Sequence, residues 1–363
     1  MRLPPKWVRR AILAPLVVIA ALALTALLPL WLLVASILSL AVRPRLRAPR
    51  LFWMAYIYLL WDATALVVLF ALWIASGFGW RLHSPGFQRM HYRFVARMLA
   101  WLFWNAHWAL RLEIDVRVPA GFHDDDAPRI IASRHAGPGD SFILIHAVLH
   151  WFDRSPRIVL KDSLQWDPAI DVVLNRLPNR FIAPPPVGAA RRPGDRGVQQ
   201  RVRELAADMG ERDALVIFPE GGNFTPERRA RAIDRLRAAG LGAAADRAEQ
   251  LMNVMAPRPG GFFAALDAAD DADVFLVAHT GLDRIRSIAD VWRELPTDKT
   301  ITMQFWNIPR AEIPEDHDER TDWLMDEWQR IDDWIEDRRP DEDPAGAGPA
   351  VTAGDGPDPR HAD

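Results

Sequence analysis

Two uninterrupted apolar runs constrain this chain more than any other feature. Residues 11–42 contain no charged side chain, and residues 51–80 contain one, Asp62. Each run exceeds the roughly 20 residues a helix needs to cross a bilayer. Neither offers the polar face that a core helix of a soluble domain keeps toward water. The first also outruns the roughly 7 to 15 apolar residues of a signal peptide and has no small-residue cleavage site after it. The pattern predicts two membrane-embedded helices within residues 1–80. Arg2, Lys6, Arg9 and Arg10 precede the first run, and Arg43, Arg45, Arg47 and Arg50 separate the two. Two simple spans put these basic clusters on opposite sides, against the positive-inside rule. A break at Pro29 instead makes a shallow hairpin with both clusters on one side. Both topologies stay open at this point.

Composition narrows the classes. Half of the 363 residues are apolar, enough for a sizeable core, and 44 basic against 47 acidic side chains leave a net charge of -3. That balance gives no general case for nucleic acid. With no cysteine, disulfides, thiolate nucleophiles and thiolate metal sites are excluded together. Nine of the 16 tryptophans precede residue 110, and Arg89, Arg93 and Arg97 recur every fourth position in the stretch 87–112. A basic stripe beside a Trp-rich surface suits a helix in the headgroup region; an ordinary helix with solvated arginines is the alternative.

From about residue 112 the pattern changes to short β-branched runs alternating with amphipathic helices, the rhythm of an α/β domain over residues 81–339. Strands are predicted at 112–118, 129–133, 157–161, 214–219, 273–279 and 300–306, with helices at 141–152, 196–210, 226–240 and 318–339. Residues 340–363, dominated by Pro, Gly, Ala and Asp, are predicted to be a disordered tail.

The chemistry gathers at two predicted strand ends. "RIIASRHAGPGDS" places His135 just after a strand and Asp140 at the start of a helix, where an Asp can serve as N-cap. The glycines and proline between them let the loop fold tightly. A carboxylate beside one imidazole nitrogen fixes the tautomer and leaves the other nitrogen free to take a proton. "LVIFPEGGNFTPERR" is a second strand end, with Glu220, Gly221, Gly222 and Asn223 before a Thr-Pro helix start that carries Arg228 and Arg229. Such a helix start attracts anions.

Taken together these segments resemble the lysophospholipid acyltransferases, typified by 1-acylglycerol-3-phosphate acyltransferase. That family's first motif, a His, four residues and an Asp, is matched by His135 and Asp140; its second loosely by "VLKDSLQWDP" with Lys161 and Pro168. Its third, Phe-Pro-Glu-Gly-Thr-Arg, is matched by Phe218, Pro219, Glu220 and Gly221, and a Pro-Arg-x-x-Gly-Phe segment by Pro257, Arg258, Gly261 and Phe262. The resemblance covers roughly residues 80–336 and implies a glycerolipid acyltransferase-type α/β domain, a mixed sheet flanked by helices and preceded by the membrane helices. It implies His135 and Asp140 as the catalytic pair, with Lys161, Glu220, Gly221, Gly222, Asn223, Arg228 and Arg258 around the substrates. It implies no metal and no cofactor, with acyl-CoA or acyl-carrier protein as co-substrate. Its partners are then a lysophospholipid acceptor and the cytoplasmic face of a cell membrane, and oligomeric state stays unread.

One departure stands out. Gly222 and Asn223 occupy the positions of the family's Thr-Arg, and Asn cannot supply a charged bidentate clamp for phosphate. Either Arg228, Arg229 or Arg258 substitutes, or the acceptor is not a simple phosphomonoester. Two other readings compete with acyl transfer: a membrane-anchored hydrolase or phosphatase, because "SRHAG" has an Arg-His pair, and a lipid-binding scaffold that keeps the fold without turnover. The remaining histidines, His279 among them, read as structural.

Overall fold

The computed structural model describes residues 3–41, 47–119, 125–137, 139–182, 196–281 and 299–338, together with Asp290 and Arg293. The predicted tail, 340–363, lies outside them, as do Arg2, Arg43 and Arg45.

The strands β1 (Leu112–Arg117), β2 (Arg129–Ser133), β3 (Ser155–Lys161), β4 (Arg180–Ile182), β5 (Asp213–Ile217), β6 (Asp273–Thr280) and β7 (Lys299–Ile308) form one seven-stranded sheet in the order β1-β7-β6-β2-β5-β3-β4. Every pairing is parallel except β6 with β7, so the sheet is mixed. The helices of its two faces dictate which residues are apolar. Along β2, Ile130 and Ala132 face one core and Ile131 the other, the period-2 alternation of a strand covered on both sides.

On the first face pack α8 (Arg196–Ala207), α11 (Pro259–Leu266) and the last helix, α12 (His317–Glu336), through Leu205, Phe262 and the fully buried Trp328. On the second face α6 (Asp140–His150) inserts Ile143, Leu144, Ala147 and Val148 against β5, β6 and β7. Completing the chain are α7 (Pro168–Leu174), α9 (Pro226–Ala238) and α10 (Gly242–Gln250). The short elements β4, α7, α10 and α11 escape the sequence reading, since eight residues such as "PGGFFAAL" carry glycine where a helix pattern is sought.

The amino-terminal region is helical: α1 (Lys6–Val8) runs through a π turn at Arg9–Leu13 into α2 (Ala14–Ala26), followed by α3 (Leu28–Ala41) and α4 (Arg47–Ala75). Two helices, Lys6–Ala26 and Arg47–Ala75, are long and apolar enough to cross a membrane. The first run breaks at Leu27, which leaves the helical region at φ -94° and ψ 5°. Pro29, in the first turn of α3, has no N–H to continue the ladder, so the break expected at Pro29 falls two residues earlier.

The run keeps its direction through α3, and α4 runs back along it. Thr25 Oγ1 lies 3.0 Å from Tyr56 Oη, and the Trp31 and Phe52 rings are 5.8 Å apart, so α2 and α3 lie antiparallel to α4. Beyond α4, α5 (Pro85–Leu110) packs against it along its length. Trp61 Nε1 donates to Met98 O at 2.8 Å and Arg50 to Ala109 O at 2.9 Å. Asp62 accepts the Ala169 N–H at 2.9 Å, and Arg176 donates to Leu69 O at 2.8 Å. The α4 helix is therefore held to the α/β domain at both ends and in the middle. The start of the chain is tied down as well: Arg9 and Arg10 both pair with the fully buried Asp171 of α7, at 2.8 and 3.0 Å.

Candidate active site

The carboxyl ends of β2, β3 and β5 share one edge of the sheet, and the site is built there. In parallel sheets the loops beyond these ends form a crevice. As β2 ends, the chain is fixed from three directions. Arg134, 1% exposed, turns inward and donates to His279 O at 2.7 Å. The His135 N–H donates to Glu220 Oε1 at 3.0 Å, and His135 O accepts the Phe224 N–H at 2.7 Å. The loop after β5 thereby grips the backbone of His135 on both sides.

The imidazole is held as firmly. His135 Nδ1 lies 2.8 Å from Asp140 Oδ2 and 3.1 Å from Oδ1, and the ring sits against Phe218 with centroids 4.5 Å apart. Because a carboxylate only accepts, Nδ1 carries the proton and Nε2 is the basic nitrogen. Nε2 makes no hydrogen bond among the described residues, and the side chain is 13% exposed. Asp140 also accepts the Gly137 N–H at 3.0 Å, while Ser141 Oγ donates to it at 3.3 Å.

Asp140 is not the N-cap that the sequence suggests: Gly139 holds that position, and Asp140 is the first residue of α6. Its side chain points back to the loop instead of onto the helix amides. Burial pushes its carboxyl up, but the His135 hydrogen bond, the nearby imidazole charges of His279 and His135 and the Gly137 amide together hold it below the usual carboxylate range. His279, read from sequence as structural, therefore belongs to this site, with Nε2 3.8 Å from Asp140 Oδ2 at the end of β6. Its only sequence signal is its place at a strand end, where ligands collect in such sheets.

Glu220 is also placed differently from the substrate-binding role implied by resemblance. It is 1% exposed, with Oε1 on the His135 N–H and Oε2 on the Met255 N–H at 3.2 Å. Burial pushes its carboxyl up to about 8, against the opposing pull of Arg134 and these two amides. It orders the loops and does not reach the crevice.

Gly221 and Gly222 give the arginines room. Gly221 has φ +72°, and a Cβ there would lie 3.2 Å from Arg258 Nη1; a Cβ on Gly222 would lie 2.9 Å from Arg228 Nη1. Both guanidinium groups therefore lie over the glycine pair, and Gly221 supplies the positive φ of the turn. Arg258 stands exposed at the N-cap of α11, and its N–H donates to Pro219 O at 2.9 Å. Arg228, on α9, donates to Asn223 O at 3.1 Å. Arg229 is not at the site: it donates to the carbonyls of Glu249 and Leu251 and holds α10 to α9. Lys161 is exposed at the end of β3, on the same sheet edge.

Arg134, the arginine of the Arg-His pair behind the phosphatase reading, is 1% exposed and engaged by the His279 carbonyl. Among the described residues no group of three or more His, Asp or Glu is arranged to hold a metal ion.

Residues 113–280 match the family model described as Acyltransferase. The match runs from β1 to the end of β6, contains every site residue named above, and supports an O-acyltransferase. The chain is also similar, at 12% identity and a TM-score of 0.41, to the crystal structure of the 1-acyl-sn-glycerophosphate (LPA) acyltransferase PlsC from Thermotoga maritima, over 92% of this chain and 100% of that one. No curated protein matches the sequence.

Proposed function

We propose that this enzyme transfers a fatty acyl group from an acyl thioester, acyl-CoA or acyl-carrier protein, to a hydroxyl of a lysophospholipid, with His135 as general base. His135 Nε2 takes the proton of the acceptor hydroxyl as its oxygen attacks the thioester carbonyl. The C–O bond forms, the tetrahedral intermediate collapses with loss of the C–S bond, and the departing thiolate recovers the proton from the imidazolium. Asp140 holds the ring and stabilises its positive charge. No protein nucleophile is required. The developing oxyanion needs amide donors. Gly137 N is occupied by Asp140 and Gly221 N by Phe218 O, so the Gly222 and Asn223 amides are the donors of choice. Arg258 and Arg228 supply the positive charge that Asn223 lacks, and Lys161 adds to it from the neighbouring strand end. An acceptor carrying phosphate fits this cluster.

In the same reading residues 1–80 form the membrane anchor and 81–339 the catalytic domain. An α4 helix bound to the domain along its length lies beside it instead of leading away. The surface that α2 and α3 leave open is leucine-rich, with Leu22 66% and Leu40 74% exposed. Contact with a bilayer covers that surface and puts both lipid substrates within reach of the crevice.

The observation that carries the proposal is the His135 Nδ1 to Asp140 contact, which leaves a basic Nε2 in a strand-end crevice. Detergent-purified protein, given labelled acyl-CoA and labelled acyl-carrier protein with a panel of lysophospholipids, is expected to form diacyl product that folded His135→Ala does not. Equal transfer by the two proteins overturns the mechanism, and no transfer by the native chain from either donor overturns the assignment.

A further inference from the structure

The α5 helix has a second face that the catalytic reading leaves unused. At about 100° per residue, positions 89, 90, 93, 97, 104 and 108 fall within an arc of roughly 100°, opposite the buried His91, Met98, Asn105 and Ala109 that pack inward. All six side chains are exposed: Arg89, Met90, Arg93, Arg97, Trp104 and Trp108, the tryptophans 65% and 66%. Among the described residues none of the three arginines has a hydrogen bond, an ion pair or a ring contact. Trp108 stands edge-on to Trp53 at 5.8 Å, which carries the stripe onto α4 beside the half-exposed Phe52.

We infer that this stripe is a binding surface for anionic phospholipid headgroups, with Arg89, Arg93 and Arg97 on the phosphates and Trp104 and Trp108 at the depth of the glycerol region. Charge complementarity sets the occupant: three guanidinium groups on one helix face, without an ion pair among the described residues, call for anions, and basic residues add to the attraction of an anionic lipid surface. The interleaved tryptophans choose a bilayer over an acidic protein, because Trp settles at the boundary between headgroups and acyl chains. The inference rests on the membrane contact proposed above and adds to it a lipid preference and a defined side of the molecule.

The test reconstitutes the full chain into phosphatidylcholine vesicles containing phosphatidylglycerol. Quenching of tryptophan fluorescence is compared when either the phosphatidylglycerol or the phosphatidylcholine is brominated. The native protein is expected to favour brominated phosphatidylglycerol about tenfold or more, and Arg89→Gln/Arg93→Gln/Arg97→Gln to lose that preference while still quenched by brominated phosphatidylcholine. The corresponding triple Lys variant, which keeps the charge, is expected to retain most of it. Quenching by both lipids without preference in the native protein overturns the inference and leaves the membrane contact intact. Absence of quenching by either overturns both. A triple Gln variant that keeps the lipid preference but loses transfer from acyl-carrier protein, with acyl-CoA transfer unchanged, assigns the stripe to the carrier protein and overturns the inference too.

Discussion

Glu220 Oε1 accepts the backbone N–H of His135 at 3.0 Å, and the same carboxyl takes the Met255 N–H through its other oxygen. A buried acid thus joins the loop that bears the base to the segment leading into α11, where Arg258 stands. One buried side chain thus sets the backbone of both His135, the proposed base, and the segment that carries Arg258, the proposed phosphate ligand.

This linkage makes stability depend on pH. The Glu220 carboxyl is raised from an ordinary 4.5 to about 8, so the folded protein holds a proton that the unfolded chain releases. The stabilisation is complete below about 4.5 and is lost as pH rises through about 8. Thermal unfolding of the native protein followed across that window is expected to show declining stability, with a flatter profile for Glu220→Gln. Identical slopes in the two proteins would assign the dependence to another group.

Asp140→Asn keeps an acceptor for Nδ1 but removes the charge that stabilises the imidazolium. Its kcat is expected to fall about 10²-fold or more, with little change in the KM for acyl-CoA. Because the Asp140 carboxyl is held below its ordinary 3.8, its contribution to stability is present above that value and lost as pH falls through the folded one. The Asn variant lacks this acid-side slope in unfolding titrations, and an unchanged kcat in that variant would remove Asp140 from the mechanism.

Arg258→Ala and Arg229→Ala separate binding from scaffolding. A charge-assisted contact to phosphate contributes about 1.5 to 3 kcal/mol, so Arg258→Ala is expected to raise the acceptor KM about tenfold or more with kcat nearly constant. Arg229, already engaged by two carbonyls, is expected to leave the acceptor KM unchanged and to lower thermal stability. Steady-state kinetics with a phosphate-bearing lysolipid decide the matter, and the reverse pattern would move the phosphate site onto α9.

At the other end of the molecule, Asp171→Ala strands the buried Arg9 without a counter-charge. Losing one partner of a buried ion pair costs about 3 to 5 kcal/mol, and here it weakens the docking of the π turn at Arg9–Leu13 against α7. Trypsin is expected to cut the variant at Arg9 or Arg10 well before the native protein in time-course digestion. Equal resistance would show that apolar packing of α2 on α4 holds the segment by itself.

Local pattern carries far in this chain. Short β-branched runs mark six of the seven strands, and the His-x4-Asp spacing brings His135 to Asp140 because the two lie in one tight loop, only five positions apart. The apolar runs specify the two long apolar helices in the same way, since helix period and side-chain polarity are properties of neighbours in sequence. Contacts between distant segments are another matter. Arg134 and His279 are 145 positions apart, and nothing near either tells that one side chain will turn inward onto the other's carbonyl or that His279 will flank Asp140. Glu220, Arg229 and Arg258 are alike as charged residues within a few positions of glycine or proline. The partners that the fold supplies make one a buried brace, one a clamp between helices and one the cation facing the crevice. Sequence alone determined which chemical groups are available and where the strands end; tertiary structure decided their roles, because burial and charge pairing depend on elements that meet only when the sheet assembles.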